Sequence, residues 1–569
     1  MNKKVCSFPI LFALLALLIG TCAVVFPASA QAAPTSTGSI TVSGTVARSY
    51  DAYQIFSANV VDGDSDAKIA TDLAWASDAV RDAVLPVLHS AGMPNSQTTA
   101  QEAAEWLNTD SHLTSALSTQ LARSLQSSGA VPVALNAGTA AELSCGYWLI
   151  VADDAIAQGE ADTAPIMALV GGNAVTVKPK AATPKVAKHV LEDSAAAWQK
   201  AADATVADDL YWRLSATVPA GLAAYDTYAV QFVDTMSAGL DPSKVAESMR
   251  IYVAAGADGD FDAVPAGKDG RAGTEPARGW TDITAQCATK VAADGKTFTV
   301  RTGDLIAALG GADAFTAGAR VVAVYNAPLS SACNHGIAKG NPNEVYLRYP
   351  RSPFADQSGD AGFTRTPSDD ACAYTWDLAL TKRGSDGDKP LAGAVLSIAD
   401  DRGRTLAADG TWDAEGKATV TTGENGRVTV SGVDSGKLEV REPKAPKGYT
   451  AFEGTRSVTV KAEGLDVDQV AAAKPKLTVT AESPLRADSA DGSTGSLEAS
   501  LINTPAGTPP SIFTGGFMPS TGDMAMFTAA AVAVVGAALI VVALLVKRGG
   551  GSHKEWLAAP QRAGRDVAK

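Results

Sequence analysis

Acidic residues and histidines are side chains that could hold a metal or catalyse a reaction, and their spacing in this sequence favours neither. Asp258, Asp260 and Asp262 alternate as the ligands of a calcium loop do, but no glutamate follows where an EF-hand loop places its bidentate ligand. The histidines are scattered over different segments, and we find no Ser-His-Asp triad and no phosphate-binding glycine loop. The sequence therefore predicts a solvated turn at these aspartates, no metal, no cofactor and no enzyme active site.

The length and charge of the chain restrict its partners further. A chain of 569 residues is too long for a single hydrophobic core, so several domains in series are expected. The formal net charge of -14 leaves no basic surface for phosphate groups. The sequence also has no stripe of aromatic and arginine residues of the kind that binds single-stranded nucleic acid. We therefore predict that nucleic acid is not a partner.

The N-terminus has the pattern of a secretory signal peptide. Basic residues precede an apolar run over residues 8–26, and the small residues 28–30 follow it. Residues 1–30 are therefore predicted to be removed on secretion.

Four cysteines remain in the secreted chain, in a compartment that permits disulfides. Cys333 could pair with Cys372 or with Cys287, or all four could stay as buried free thiols. The sequence leaves both alternatives open. The fourth residue of this set is Cys145.

A second targeting element lies near the C-terminus, where three features follow one another. Residues 518–522 read Met-Pro-Ser-Thr-Gly, and the apolar residues 524–546 are long enough to cross a bilayer as a helix. A basic pair then begins the tail of residues 547–569 and would hold that tail in the cytoplasm. This order predicts a precursor that is held in the membrane by its C-terminal helix.

The pentapeptide Met518, Pro519, Ser520, Thr521 and Gly522 resembles the LPXTG sorting signal of Gram-positive surface proteins, with Met518 in place of leucine. Both side chains are long and apolar, so one sortase pocket could accept either. The resemblance implies that a sortase cysteine cleaves the Thr521–Gly522 bond and that an amine resolves the acyl-enzyme. The protein would then be a sortase substrate that becomes linked to peptidoglycan.

The segment that follows the signal peptide, residues 31–182, mixes two patterns. Residues 39–43 and 147–151 have the β-branched and aromatic content of strands. Residues 70–91 and 99–125 have helical patterns, the second opened by a capping box. We therefore predict a helix-decorated α+β domain. Its Tyr-Asp-Ala-Tyr-Gln-Ile-Phe segment resembles the N-terminal domain of fimbrial subunits.

Two further segments, residues 183–370 and 371–506, consist of short strand patterns separated by Gly, Pro and Asp turns. Such strands pack as β-sandwiches. The predicted fold class is mainly β, with tandem immunoglobulin-like or Cna-B-type sandwiches. Residues 507–523 hold a Pro- and Gly-rich linker and the sorting motif.

Residues 438–449 read Leu-Glu-Val-Arg-Glu-Pro-Lys-Ala-Pro-Lys-Gly-Tyr and closely resemble the E-box of pilins, YxLxETxAPxGY. The segment departs from that pattern where Leu438 replaces tyrosine and a proline replaces threonine. In the family the E-box glutamate, here Glu442, assists a spontaneous amide bond between a lysine and an asparagine. By position these are Lys382 on the first strand and Asn503 on the last. The competing interpretation is a surface ion pair between Lys382 and Glu442.

Burial gives this assignment a physical reason. An apolar sandwich disfavours charge, so the lysine shifts towards its neutral, nucleophilic amine and the acid towards its protonated form. The protonated acid could then polarise the asparagine carbonyl and pass a proton as ammonia leaves. By analogy with disulfides, each closed loop would constrain the unfolded chain by roughly 4–5 kcal/mol.

The segment 183–370 carries a similar set. Its last strand pattern begins at Asn343 and resembles the NxAxVxY-like strand of isopeptide-forming fimbrial domains, and Asp234 matches the acid of those domains. The implied bond joins Lys188 to Asn343 with Asp234 assisting. Lys185 and Asn341 are near enough in sequence to be the partners instead.

The segment Val-Thr-Val-Lys-Pro-Lys at residues 175–180 resembles the end of the pilin motif WxxxVxVYPK, whose lysine attacks the acyl-enzyme of the next subunit. Lys180 is the lysine at that position. Gly171 stands where the motif has tryptophan, and Lys178 replaces tyrosine. The competing interpretation is an ordinary linker lysine.

These resemblances together predict a structural subunit, most consistent with the shaft, of a sortase-assembled and covalently cross-linked pilus on a Gram-positive cell wall. Its implied partners are pilin-type and housekeeping sortases, identical subunits, peptidoglycan and a host-surface ligand. The alternative is a monomeric wall-anchored adhesin that uses the β-domains as a stalk. The sequence identifies neither the host ligand nor the sortase.

Overall fold

The computed structural model describes residues 37–44, 48–63, 67–109, 111–153, 160, 164–179, 183–219, 222–256 and 279–507. The signal peptide, the aspartates of residues 258–262, Lys180, the sorting motif and the apolar segment 524–546 lie outside these residues. Within the described residues no helix is long and apolar enough to cross a bilayer, and no cluster of acidic, histidine or cysteine side chains is arranged to hold a metal.

The N-terminal region, residues 37–177, combines two sheets with three helices. Its elements in order are β1 (Thr37–Val42), β2 (Ser49–Asp62), β3 (Lys68–Trp75), α1 (Asp78–Ser90), α2 (Ala100–Asn108), α3 (Ser115–Ser127), β4 (Val133–Asn136), β5 (Ala140–Ser144), β6 (Gly146–Ala152), β7 (Ile166–Val170) and β8 (Val175–Val177). The larger sheet has the order β3-β2-β6-β7, with β4 on β2, and the smaller has the order β5-β1-β8. One core lies between the larger sheet and the helices, and another between the two sheets.

The structure corrects both predicted helices of this region. Residues 70–75 belong to β3, because they pair with β2 across a bulge, and α1 begins only after the N-cap Ser77. The single helix predicted over residues 99–125 is two helices. His112, between them, stacks on the ring of Trp106 and its Nδ1 lies 2.7 Å from that residue's carbonyl oxygen. The capping box of Thr99 and Glu102 is confirmed.

The middle sandwich spans residues 186–374. Its elements are β9 (Val186–Glu192), β10 (Ala197–Gln199), β11 (Ala201–Asp203), β12 (Tyr211–Thr217), β13 (Gln231–Met236), α4 (Val245–Ser248), β14 (Arg250–Ala254), β15 (Thr281–Asp282), β16 (Ala288–Val291), β17 (Thr297–Arg301), α5 (Leu305–Ala308), β18 (Arg320–Asn326), β19 (Asn341–Pro350), β20 (Phe363–Arg365) and β21 (Asp369–Tyr374). One sheet has the order β10-β9-β12-β18-β14-β15. The other has the order β11-β21-β19-β13-β17-β16, with β20 on β19. Apolar side chains from both sheets form one core.

The C-terminal sandwich begins directly after the last strand of the middle sandwich. Its strands are β22 (Trp376–Gly384), β23 (Val395–Ala399), β24 (Thr405–Leu406), β25 (Trp412–Asp413), β26 (Val420–Thr421), β27 (Arg427–Val433), β28 (Gly436–Lys444), β29 (Arg456–Glu463), β30 (Lys476–Ala481), β31 (Leu485–Asp491) and β32 (Ser496–Asn503). One sheet has the order β27-β22-β32-β31, and the other β25-β24-β23-β28-β29-β30 with β26 on β23. The predicted fold class, mainly β with tandem sandwiches and a helix-decorated N-terminal region, is confirmed.

The cysteine question is answered for three of the four residues. Cys287, Cys333 and Cys372 are free thiols, so the pairing of Cys333 with Cys372 or Cys287 is wrong. Burial raises the pKa of each of these thiols to about 11. They therefore stay protonated and weakly nucleophilic at neutral pH. Cys145 is buried in the N-terminal region.

A polar joint connects the middle and C-terminal sandwiches. Asp203, at the end of β11, accepts hydrogen bonds from Trp376 Nε1 at 2.6 Å and from Ser435 Oγ at 2.5 Å. Nearby, the Arg404 guanidinium binds both oxygens of Asp208 at 2.6 and 2.7 Å. Such a two-point ion pair fixes orientation as well as distance, so this joint resists rotation of one sandwich on the other.

Carboxyl groups gather at the same joint. Glu192 and Asp203 are both buried, and burial together with the charge of Asp203 raises the pKa of Glu192 to about 7. Burial, followed by the charges of Asp203, Asp193 and Glu192, raises the pKa of Asp434 well above its usual value. The folded state therefore holds protons here that the unfolded chain would release.

This proton uptake predicts how stability depends on pH. The Glu192 carboxyl has a pKa of 4.5 in the unfolded chain and about 7 when folded, so its contribution is complete below pH 4.5 and is lost as pH rises towards 7. The loss is on the order of 3 kcal/mol. We expect urea unfolding of the two sandwiches to show this decline and Glu192→Gln to flatten it. Glu247→Gln, at an exposed carboxyl of α4, is the control, and equal pH slopes in all three proteins would contradict the account.

Candidate functional site

The first site lies inside the C-terminal sandwich and is built on the pairing of its first and last strands. β22 and β32 run parallel, with Lys382 opposite Leu501 and Gly384 opposite Asn503. Because side chains alternate along a strand, Lys382 and Asn503 share the inner face two positions apart. Glu442 reaches the same place from β28 of the facing sheet. The three residues predicted from the E-box resemblance are thus brought together.

All three side chains are buried, with 0%, 6% and 2% of the surface of Lys382, Glu442 and Asn503 exposed. Asn503 Nδ2 donates to both carboxylate oxygens of Glu442 at 2.9 Å. Lys382 Nζ lies 3.6 Å from Glu442 Oε1 and donates to the carbonyl oxygen of Leu501 at 3.1 Å. Glu442 is also fixed by the backbone N–H of Phe452, at 3.2 Å. This buried arrangement argues against a surface ion pair.

The electrostatics favour a nucleophilic amine. Burial lowers the pKa of Lys382 from 10.5 to about 8, although the nearby Glu442 carboxylate acts in the opposite direction. Desolvation is the larger effect because the side chain has no solvent-exposed surface. A substantial fraction of this side chain is therefore a neutral amine near physiological pH.

The second site lies between the two sheets of the middle sandwich. Lys188 on β9 and Tyr325 on β18 come from one sheet. Asp234 on β13 and Asn343 on β19 come from the other, where Asn343 pairs with Met236 and Asp234 with Val345. All four side chains are fully or almost fully buried. Because side chains alternate along each strand, the lysine, the acid and the asparagine all point into the same core.

The contacts of this second site centre on a tyrosine that the sequence did not single out. Lys188 Nζ contacts Asp234 Oδ2. The Tyr325 hydroxyl accepts from Lys188 Nζ at 2.9 Å and from Asn343 Nδ2 at 2.8 Å, and it donates to Asp234 Oδ2 at 3.0 Å. Tyr325 belongs to an apolar run, Val-Val-Ala-Val-Tyr, and such a run predicts only a buried strand.

Burial shifts both ionisable partners of the second site towards neutrality. It lowers the pKa of Lys188 to about 8 against the attraction of Asp234. It raises the pKa of Asp234, with Lys188 acting in the opposite direction. The ammonium of Lys188 also lies 5.5 Å from the ring centroids of Trp212 and Tyr325. Attack of an amine on a neighbouring carbonyl requires a neutral amine and a group that can exchange protons with it. A lysine with a lowered pKa beside an acid with a raised pKa meets this requirement.

One expected contact differs in both sites. The acid was expected to polarise the asparagine carbonyl. In the structure, Glu442 contacts the amide nitrogen of Asn503 instead. Within the described residues, the amide oxygens of Asn343 and Asn503 are buried without a hydrogen-bond partner. In the C-terminal sandwich the acid therefore contacts both the amine and the amide nitrogen. In the middle sandwich Asp234 contacts the amine, and the amide nitrogen of Asn343 donates to the Tyr325 hydroxyl.

The alternative partners in the middle sandwich have other surroundings. Lys185 is exposed before β9. Asn341 is buried, but its amide oxygen accepts from the backbone N–H of Asn334 at 2.8 Å, and its amide nitrogen donates to the carbonyl oxygens of Asn334 and Ala373 at 2.9 and 3.2 Å. These bonds tie a loop to β19 and β21. Of these candidates, Lys188 and Asn343 are the lysine and the asparagine that share one buried hydrogen-bond network.

The predicted linking lysine, Lys180, lies outside the described residues, but the strand before it is described. β8 ends at Val177, and Lys178 is exposed. Gly171 has a φ of +131°, and a Cβ atom there would lie 2.6 Å from the Cβ of Val60. A tryptophan could not occupy this position without moving β2, which explains why this chain departs from the motif there.

Comparison with known proteins identifies the C-terminal sandwich. Residues 377–474 match the family model described as SpaA, a prealbumin-like fold domain. The chain is also similar to the trypsin-resistant surface T6 protein of Streptococcus pyogenes serotype M6. The two are 30% identical over 129 residues, which cover 21% of this chain and 22% of that protein. The chain thus matches about a fifth of the length of this curated relative.

Two pilins are among the solved structures to which this chain is similar. The T6 backbone pilin of S. pyogenes serotype M6 has a TM-score of 0.45 and 17% identity, and the match covers 83% of this chain and 98% of that one. The full-length major pilin SpaD of Corynebacterium diphtheriae has a TM-score of 0.41 and 15% identity, with coverage of 83% and 98%.

The difference in surroundings between Asn341 and Lys185 predicts that alanine at position 341 destabilises the protein and alanine at position 185 does not. Asn341→Ala removes three hydrogen bonds and leaves buried backbone groups unsatisfied, so it should lower the free energy of unfolding by about 1–3 kcal/mol. Lys185→Ala keeps the hydrogen bonds of the backbone to Thr217 and should change the free energy of unfolding by less than about 0.5 kcal/mol. Urea denaturation measures both values. Equal losses in the two variants would show that Asn341 has no anchoring role.

Proposed function

We propose that this protein is the repeating shaft subunit of a covalently polymerised pilus on a Gram-positive cell surface. The observation that carries the proposal is the meeting of a buried lysine, an acid and an asparagine in each of two successive sandwiches. Two such sets occur in one chain, one in each sandwich. They suit a protein whose domains are hardened by internal amide bonds. The matched SpaA domain and the similarity to the surface T6 protein support the same function.

In each sandwich the neutral lysine amine attacks the carboxamide carbon of asparagine, ammonia leaves, and an amide bond remains. Lys382 and Asn503 are joined with Glu442 assisting, and Lys188 and Asn343 are joined beside Asp234. The acid ends in the protonation state in which it began, so the reaction needs no cofactor. The reaction occurs once in each molecule and is intramolecular. The protein therefore does not turn over a substrate and is not an enzyme.

The positions of the two bonds suit a load-bearing shaft. In the C-terminal sandwich the bond would join the first strand, β22, to the last, β32. In the middle sandwich it would join β9 of one sheet to β19 of the other. A tether between these strands carries tension directly from one strand to the other, so the load does not pass through the hydrogen bonds of the sheets.

Polymerisation would use the two ends of the secreted chain. A pilin-type sortase would cleave after Thr521 and transfer that acyl group to Lys180 of the next subunit, and a housekeeping sortase would attach the finished polymer to peptidoglycan. The proposed domains are residues 31–182, 183–370 and 371–506. Removal of residues 1–30 and retention of the precursor by residues 524–546 complete this scheme. A host-surface ligand would be a further partner.

The internal bonds predict a specific loss of mass. The chain from Gln31 to Pro505, measured intact under reducing conditions, should be lighter than its sequence by two ammonia molecules. Lys188→Ala and Lys382→Ala should each restore one of them, because each removes one nucleophile. Lys185→Ala is the matched control and should keep both deficits. A wild-type mass equal to the sequence mass would contradict the internal bonds.

Covalent polymerisation predicts a ladder of bands on a denaturing gel. Boiled detergent extracts of cells that make the chain with its sortases should contain covalent multimers, and Lys180→Ala should reduce them to a single band. Lys178→Ala, which leaves the predicted linking lysine in place, should keep the ladder. A single wild-type band would instead favour a monomeric wall-anchored adhesin.

A further inference from the structure

Among the described residues, the Tyr325 hydroxyl of the middle sandwich has no counterpart in the C-terminal site. There, Glu442 contacts both reacting groups, with Asn503 Nδ2 at 2.9 Å and Lys382 Nζ at 3.6 Å. One carboxyl group can thus take a proton from the amine and give one to the departing nitrogen.

In the middle sandwich the acid contacts only one of the two reacting groups, the lysine amine. Asp234 contacts Lys188 Nζ and the Tyr325 hydroxyl, and among the described residues its carboxylate makes no hydrogen bond to Asn343. The amide nitrogen of Asn343 has its hydrogen bond to Tyr325 instead, at 2.8 Å. An amide nitrogen must be protonated to leave as ammonia, so a group has to connect it to Asp234.

The hydrogen-bonding capacity of a phenol hydroxyl is fully used at this point. A tyrosine hydroxyl has one proton to donate and two lone pairs to accept with. Tyr325 donates to Asp234 and accepts from Lys188 and from Asn343. Its ring is buried and packs edge-on against Phe298, with centroids 4.9 Å apart, so the oxygen is held in place.

We infer that Tyr325 is a catalytic residue of the middle sandwich, where its hydroxyl relays a proton from Asp234 to the departing nitrogen of Asn343. The inference rests on the proposed amide bond between Lys188 and Asn343. Burial and the Asp234 charge hold the pKa of Tyr325 well above 10, so the hydroxyl keeps its proton until the reaction draws it away.

The steps balance in atoms and charge. Neutral Lys188 Nζ bonds to the side-chain carbon of Asn343 while Asp234 is protonated, which places negative charge on Oδ1 and positive charge on Nζ. Tyr325 gives its proton to Nδ2 and takes one from Asp234. The carbonyl re-forms, the C–Nδ2 bond breaks and ammonia leaves. Asp234 then takes the extra proton from Nζ, so Asp234 and Tyr325 return to their starting states.

The experiment follows both bonds in the same molecule. Full-length chain is made by cell-free synthesis and sampled over time, and the Lys188–Asn343 and Lys382–Asn503 cross-linked peptides are quantified by mass spectrometry after proteolysis. Tyr325→Phe should slow the first cross-link at least about a hundredfold and leave the second unchanged. Tyr349→Phe is the control, because it removes another buried hydroxyl of the same sandwich, one that donates to the carbonyl oxygen of Glu160 at 3.0 Å.

A second variant separates proton transfer from packing. Difluorotyrosine placed at position 325 by nonsense suppression keeps the ring and lowers the pKa of the hydroxyl. A relay predicts a changed rate and a shifted pH profile for the Lys188–Asn343 bond alone. Formation of this bond at the wild-type rate in Tyr325→Phe would overturn the inference. A wild-type chain that forms no Lys188–Asn343 bond would contradict the proposed function itself, and the relay with it.

Discussion

The desolvation of two lysine ammonium groups is the interaction on which the rest of this structure depends. Lys188 and Lys382 have no exposed surface, and burial lowers the pKa of each to about 8. A buried charge without its partner would cost several kcal/mol, so each lysine requires an acid beside it. The sandwich supplies that acid and an asparagine carboxamide. Reaction of the amine with the carboxamide would remove the charge permanently and turn a destabilising burial into a covalent tether.

The two sandwiches meet this requirement with different geometry. In the C-terminal sandwich the lysine and asparagine lie on adjacent parallel strands, and the acid comes from the facing sheet. In the middle sandwich the lysine faces the asparagine across the core, and the acid lies beside the asparagine on a neighbouring strand. The shorter aspartate at the second site is accompanied by a tyrosine hydroxyl. Two different strand arrangements therefore bring a buried lysine, an acid and an asparagine together.

Much of this could be predicted from the sequence, and the exceptions have physical reasons. Alternating strand patterns and the E-box resemblance were sufficient to place Lys382, Glu442 and Asn503 in one core. Tyr325 could not be found, because nothing in an apolar strand shows that its hydroxyl meets a buried lysine and aspartate that lie 137 and 91 residues away in the sequence. The prediction of helix for residues 70–75 was wrong, because their pairing with β2 in a hairpin is a tertiary contact that overrides local preference.

The covalent state of the two buried sets is tested most directly by electron density at atomic resolution for the secreted chain. The account predicts continuous density from Nζ of Lys188 to the side-chain carbon of Asn343, and from Nζ of Lys382 to that of Asn503, at the length of an amide bond. Each asparagine would then have lost its amide nitrogen. Separate side chains at van der Waals distance, with both amide nitrogens retained, would contradict it.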